Sequence, residues 1–181
     1  FRRVLFRSPA ARLDPADGSG RPWQSYVFGC QVAEVEVDTV TGEVQVLGIW
    51  AAHDVGRAVN PQGIEGQIEG GIVQGLGWVT MEEVVYDADG KLRSNALSTY
   101  KVPDIYSAPK EIAILPLETS RENLAVFNSK AVGEPPLMYG IGVYFAIRNA
   151  VKAFTDCSPA FDLPFTPEKV LMNLYCNDGD N

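Results

Sequence analysis

The chain has 181 residues, 46% hydrophobic and 21% charged, the composition of an ordinary globular protein of one domain or of two small ones sharing a core. Its formal net charge of −8 argues against a nucleic-acid surface, which needs clustered Lys and Arg. The chain has neither an apolar run long enough to span a membrane nor a signal-peptide pattern, and Cys30, Cys157 and Cys176 are too scattered for a zinc site or a disulfide framework; reduced thiols and a cytoplasmic setting are expected.

The first eight residues, FRRVLFRS, read in one reverse translation as the end of a short-read library adapter. Residues 1–8 are therefore set aside as an expected artefact; removing Arg2, Arg3 and Arg7 takes the net charge from −8 to −11. Residues 9–22 are rich in Pro, Gly, Ser and Asp and read as a linker or loop. From Val32 to Ile49, apolar residues alternate around TVTG, which predicts a β-hairpin turning at Gly42.

Asn60 and Pro61 then supply an N-cap and a first helical residue. The predicted helix, PQGIEGQIEGGIVQGLGWVTMEE, carries Gly63, Gly66, Gly70, Gly71, Gly75 and Gly77. Each interior glycine costs about 1 kcal/mol relative to Ala, so some surface must need the bare backbone close to it. That surface is either a neighbouring helix or a flat polar ligand, and Gln67 and Gln74, two turns apart on one face, fit the second reading as amide donors and acceptors. Farther on, MEEVVYDADGKLR predicts a hairpin with its turn at Asp87 to Gly90, STYKVPDIYSAPK an extended segment broken by prolines, EIAILPLE a strand, and LAVFNSKAVGE a short strand entering a loop. PPLMYGIGVYFAIRNAVKAF is apolar on most faces and predicts a buried helix; TPEKVLMNLY predicts an amphipathic helix capped by Thr166. The class is α+β, with mixed or antiparallel strands and packed helices.

Most polar candidates have ordinary explanations. His53, the single histidine, has no ligand partners at metal spacing and no serine to activate, so a structural hydrogen-bonding role is expected. Glu82 and Glu83 are adjacent in an exposed hairpin; pairing either with Glu134 as a carboxylate hydrolase would require a cleft about 5–9.5 Å wide. Glu134 is of another kind. It follows AVG, precedes two prolines that fix the backbone, and leads into an apolar helix; one reading is an exposed loop carboxylate, as most charged residues are, and the other a carboxylate held rigidly, its pKa raised by desolvation and suited to general-base work.

Taken in order, AEVEVDTVTGEV, HDVGRAVNP, GQIEGGIVQGLGW, STYKVPD, SKAVGEPP, FAIRNAV and TPEKV resemble the C-terminal part of the molybdenum-binding subunit or domain of the xanthine dehydrogenase and aldehyde oxidase family, across nearly all of residues 23–175. The resemblance implies that residues 23–181 are an incomplete molybdenum cofactor-binding domain, inactive alone and exposing apolar surface that the rest of the subunit covers. It implies Glu134 as catalytic base, Gln67 against the molybdenum–pterin cofactor, and Ala131, Val132 and Gly133, with Lys130 less securely, lining the same site; no side chain here is implied as a metal ligand. It implies molybdopterin, simple or as the cytosine dinucleotide, with [2Fe–2S] clusters and FAD on other domains or subunits. The whole enzyme is then expected to be a homodimer, with no nucleic-acid or membrane partner. The implied reaction is water-derived hydroxylation of an electron-poor carbon. A purine such as xanthine is the first substrate, since STYK and KAVGEPP look closer to purine-oxidising members than to carbon monoxide or some aldehyde-oxidising ones; aldehydes or other N-heterocycles come second. Outside the family, the alternative is a stand-alone acidic binding module without catalysis.

Overall fold

The structure, a computed structural model, describes residues 13–20, 25–117, 126–155 and 158–176. Strands β1 (Gly29–Val37) and β2 (Val44–His53) form the predicted antiparallel hairpin. Its turn is closed by Asp38, whose Oδ1 accepts from the Val40 and Thr41 amides, and by Gly42 at φ 74°. An added Cβ on Gly42 would strike the Pro167 carbonyl, so glycine here serves both the turn and its contact with the last helix. A bulge at Glu34/Val35 shifts the register, so that Val46 and then Ile49, Ala51 and His53 all reach the buried face.

Helix α1 (Pro61–Thr80) starts as predicted, with Asn60 Oδ1 accepting from the Gly63 amide at 3.1 Å and Pro61 in the first turn. Its buried stripe, Ile68, Ile72, Leu76 and Val79, recurs every three to four residues and packs in the core. The helix carries the chain back to β3 (Glu111–Pro116), which pairs parallel to β2 and completes a three-stranded sheet in the order β1-β2-β3. Parallel pairing requires such a crossover, and Pro116 is tolerated because β3 is an edge strand. The fold is thus α+β, a small mixed sheet with helices packed on it.

Between α1 and β3, the Asp87 turn forms as expected, but its pairing is a single bridge, Tyr86 to Leu92, rather than two strands. The strand expected around LAVFN is also not found in its described part. Val126–Asn128 is one 3-10 turn with Phe127 and Asn128 at positive φ, and pairing is limited to Ser129 opposite Gly56; Leu124 and Ala125 lie outside the described residues.

Pro135–Tyr139 forms a 3-10 turn leading into α2 (Gly140–Phe154). Val143, Tyr144, Ile147 and Val151 of α2 are buried, whereas Phe145 and Phe154 are about half exposed (45% and 50%), so α2 is buried on one side and not on most faces. Helix α3 (Pro167–Leu174) begins at Thr166, whose Oγ1 accepts from the Lys169 amide at 3.3 Å. Cys176 is disulfide-bonded, contrary to the expectation of reduced thiols, while Cys30 is free and exposed; Cys157 lies outside the described residues. Among the described residues no helix is long and apolar enough to cross a membrane.

Candidate functional site

Gly63 lies against the side chain of its own cap, Asn60, and the other five helix glycines divide into two groups. Gly71, Gly75 and Gly77 face protein: added Cβ atoms would lie 2.6 Å from Pro136 Cβ, against the Leu137 carbonyl, and 2.6 Å from Pro103 Cδ, respectively. Close packing of α1 on the Pro135–Tyr139 turn explains Gly71 and Gly75, and close packing on Pro103 explains Gly77. Gly66 and Gly70 face nothing within 4 Å, and neither does Gly133 of the facing loop. Within the described chain nothing requires their bare backbone.

Gln67 lies one turn before Gly71, and Gln74 three residues after it, so the GEPP segment settles on the helix along the stripe that carries both amides. Gln67 is exposed and lines a shallow depression of about 310 Å³ with Arg57, Ser129, Lys130 and Val132. Three of the predicted site residues, Gln67, Lys130 and Val132, thus meet at one surface. Ala131, Gly133 and Glu134 are exposed on the same loop.

Glu134 stands at the start of the 3-10 turn. Its carbonyl accepts from the Leu137 amide at 3.1 Å, and its side chain makes no capping bond. The carboxylate is exposed, which corrects the expectation that the apolar segment after it keeps it dry. Desolvation of Glu134 needs cover from outside the described residues.

Lys130 also differs from expectation. Its ammonium pairs with Asp54 Oδ2 at 2.5 Å, donates to the Tyr26 carbonyl at 2.9 Å and sits 5.5 Å from the centre of the Phe28 ring. Both side chains of the pair are buried, Lys130 to 6% exposure. The side chain is held below the loop, and its amide donates to the Val55 carbonyl at 2.9 Å.

Sequence reasoning also missed what lies under the 3-10 turn. His53 Nδ1 meets the Tyr139 hydroxyl at 2.5 Å, that hydroxyl donates to the Ala52 carbonyl at 3.1 Å, and Gln31 Nε2 donates to the Tyr139 carbonyl at 2.5 Å. Donation from Nδ1 to the hydroxyl satisfies all of these bonds with one hydroxyl proton, which assigns the Nδ1–H tautomer. Burial holds His53 below its ordinary pKa, with Asp54 opposing, and pushes Tyr139 up to about 12. The structural role expected of His53 fits this setting. The only sequence signal was the HDVG tetrapeptide at a strand end.

The two hairpin carboxylates are engaged elsewhere. Glu82 Oε2 accepts from the Tyr100 hydroxyl at 2.6 Å, and Glu83 lies 3.3 Å from Lys169 Nζ. Among the described residues no three His, Cys, Asp or Glu side chains stand together as a metal cage. The site is therefore a wall: exposed glycine backbone, one amide side chain and a braced loop carrying a lone carboxylate. Such a surface suits a large flat ligand that brings its own polar groups.

The comparisons with known proteins give that ligand a family. Residues 3–109 match the family described as molybdopterin cofactor-binding domain. The chain is 43% identical over 169 residues to xanthine dehydrogenase of Dictyostelium discoideum, covering 91% of this chain and 12% of that protein. It is 36% identical over 178 residues to aldehyde oxidase 1 of Oryctolagus cuniculus, covering 96% of this chain and 13% of that protein. Among solved structures, the aldehyde oxidoreductase of Desulfovibrio gigas superposes with a TM-score of 0.75 at 32% identity, over 92% of this chain and 17% of that one. The chain belongs to the xanthine dehydrogenase and aldehyde oxidase family of molybdenum hydroxylases, and it spans about an eighth of the length of the curated relatives it matches.

Proposed function

We propose that this chain contributes one wall of a molybdopterin site and the general base, Glu134, of a molybdenum hydroxylase that inserts water-derived oxygen into a heteroaromatic ring. The observation that carries this reading is the meeting of Gln67 with Ser129, Lys130 and Val132 in one depression, two to five residues before an exposed, backbone-braced carboxylate.

The residues fit the group. Gly66, Gly70 and Gly133 leave open space where Cβ atoms would stand, and the exposed Gln67 amide offers a donor and an acceptor between the two helix glycines. Molybdenum–molybdopterin, when bound, supplies the two-electron redox centre. Gln67 would hydrogen-bond its polar edge, and the Ala131–Gly133 backbone would lie along it. Glu134 would take up, on a carboxylate oxygen, the proton released as the water-derived hydroxyl attacks the substrate carbon. The adjacent Pro135 and Pro136 fix the backbone and lower the entropic cost of aiming that oxygen.

The rest of the reading concerns the whole enzyme. The chain would be the C-terminal piece of a longer, cytoplasmic, homodimeric protein. Other domains or subunits would carry [2Fe–2S] clusters and FAD, and the remainder of the molybdenum domain would cover Glu134. Purines of the xanthine type are the first substrates proposed. The family also contains aldehyde oxidases, so aldehydes and other N-heterocycles stand second.

In the full-length enzyme, Glu134→Gln should cut turnover by about 10²–10⁴-fold with molybdenum content unchanged. Retained turnover would sink the base assignment, and loss of metal would make Glu134 structural. Comparing kcat/KM for xanthine, an aromatic aldehyde and a simple N-heterocycle then decides the substrate class.

A further inference from the structure

The loop that carries Glu134 is anchored at both ends, and the upstream anchor is a charge pair. Residues 128–130 run antiparallel to residues 55–57: Arg57 N–H donates to the Asn128 carbonyl at 2.8 Å, Lys130 N–H donates to the Val55 carbonyl at 2.9 Å, and Gly56 bridges to Ser129. Gly56 has φ +63°, and an added Cβ there would strike the Asn128 carbonyl and lie 3.1 Å from Lys130 N, so glycine permits this close approach. Lys130 then turns its side chain beneath the loop to Asp54, the residue directly after β2 and 76 positions away in sequence. Asp54 is fixed in turn: its amide donates to the Phe28 carbonyl at 2.9 Å, and its Oδ1 accepts from the Gly56 amide at 3.2 Å. Downstream, Pro136 sits on Gly71 of α1. Between these anchors, Ala131, Gly133 and Glu134 are exposed, and only Val132 packs against the core.

We propose that the buried Asp54–Lys130 pair is a positioning device for the Glu134 carboxylate, setting the height of its loop over the end of β2. Beyond the backbone bonds to residues 55–57, a loop with exposed residues and a glycine without neighbours has little else upstream to define its path. A buried ion pair is weak evidence of net stabilisation but imposes a definite geometry, because each charge demands its partner. This inference rests on Glu134 being the base.

The test uses the full-length molybdenum enzyme and five variants: Asp54→Asn, Lys130→Met, the double variant of the two, Lys130→Arg, and Glu134→Gln as the reference. Molybdenum content, melting temperature, kcat and KM are measured on each, with amide hydrogen exchange of the 131–136 peptide. Positioning predicts that the double variant, which leaves no unpaired charge, keeps its metal and its melting transition. Its kcat per bound molybdenum should fall at least tenfold with KM little changed, exchange should rise in 131–136 but not in α1, and Lys130→Arg should recover most of the loss.

If Glu134→Gln is inactive while the double variant turns over normally per molybdenum, the positioning role is overturned and the base assignment survives. If the double variant loses metal or its melting transition, the pair belongs to stability and the positioning role is likewise overturned. If Glu134→Gln remains active, the base reading fails and takes this inference with it.

Discussion

Gly75 of α1 and Gly140, the first residue of α2, lie backbone against backbone. A Cβ built on Gly140 would stand 2.5 Å from the Gly75 carbonyl carbon and 2.7 Å from its Cα, and one on Gly75 would stand 3.0 Å from Gly140 Cα. The contact sets how deeply the Pro135–Tyr139 turn, and hence the loop before it, sits on α1. Gly75→Ala should destabilise the chain by about 1–3 kcal/mol, because overpacking outweighs the roughly 1 kcal/mol that Ala gains in helix propensity. Gly140→Ala should do the same, and the double variant should cost less than the sum of the two, since the first already separates the backbones. Urea melts of the three variants check this.

Gly66→Ala and Gly70→Ala should act in the opposite direction. Nothing lies within 4 Å of either added Cβ, so each should stabilise the chain by up to about 1 kcal/mol, or about 2–4 °C in Tm. In the full-length enzyme the same variants should lower molybdopterin content, if the bare backbone there serves the cofactor. A destabilised chain would mean that the helix face is covered by protein instead.

The pH dependence of stability follows from His53. Burial holds its folded-state pKa below the ordinary 6.5, so the unfolded chain binds more protons once the pH falls below about that value. Stability should therefore fall with falling pH from about 6.5 down toward the lowered folded value, and the contribution should be flat well above 6.5. Asp54 and Tyr139 are the titratable neighbours; Asp54 reduces the shift without reversing its direction. Melts at pH 7.5, 6.5 and 5.5 should show this slope in the parent and a smaller one in His53→Asn, whose amide can still donate toward the Tyr139 hydroxyl. Equal slopes would refute the assignment.

Asn60→Ala should cost about 1 kcal/mol by removing the bond to the Gly63 amide, whereas Asn60→Asp should retain most of the stability. Thermal melts of the two variants separate the cap from any packing role of the side chain.

The sequence by itself determined whatever depends on neighbours in the chain. The Asp38–Gly42 turn, the Asn60 and Thr166 caps and the periodicities of β1, β2, α1 and α3 are short-range matters of dihedral preference and side-chain bonding to the local backbone. Its ordered blocks also placed the chain in its family and nominated Gln67 and the Glu134 loop as site candidates. Tertiary structure alone decided the rest. The pairing of β2 with β3, the division of the glycines between packing and open space, and the union of Asp54 with Lys130 all join residues far apart in sequence. The exposure of Glu134 belongs here too. An apolar run announces that some surface will be covered, but which side is covered, and by what, is settled only when the elements dock and leave their remaining surface bare.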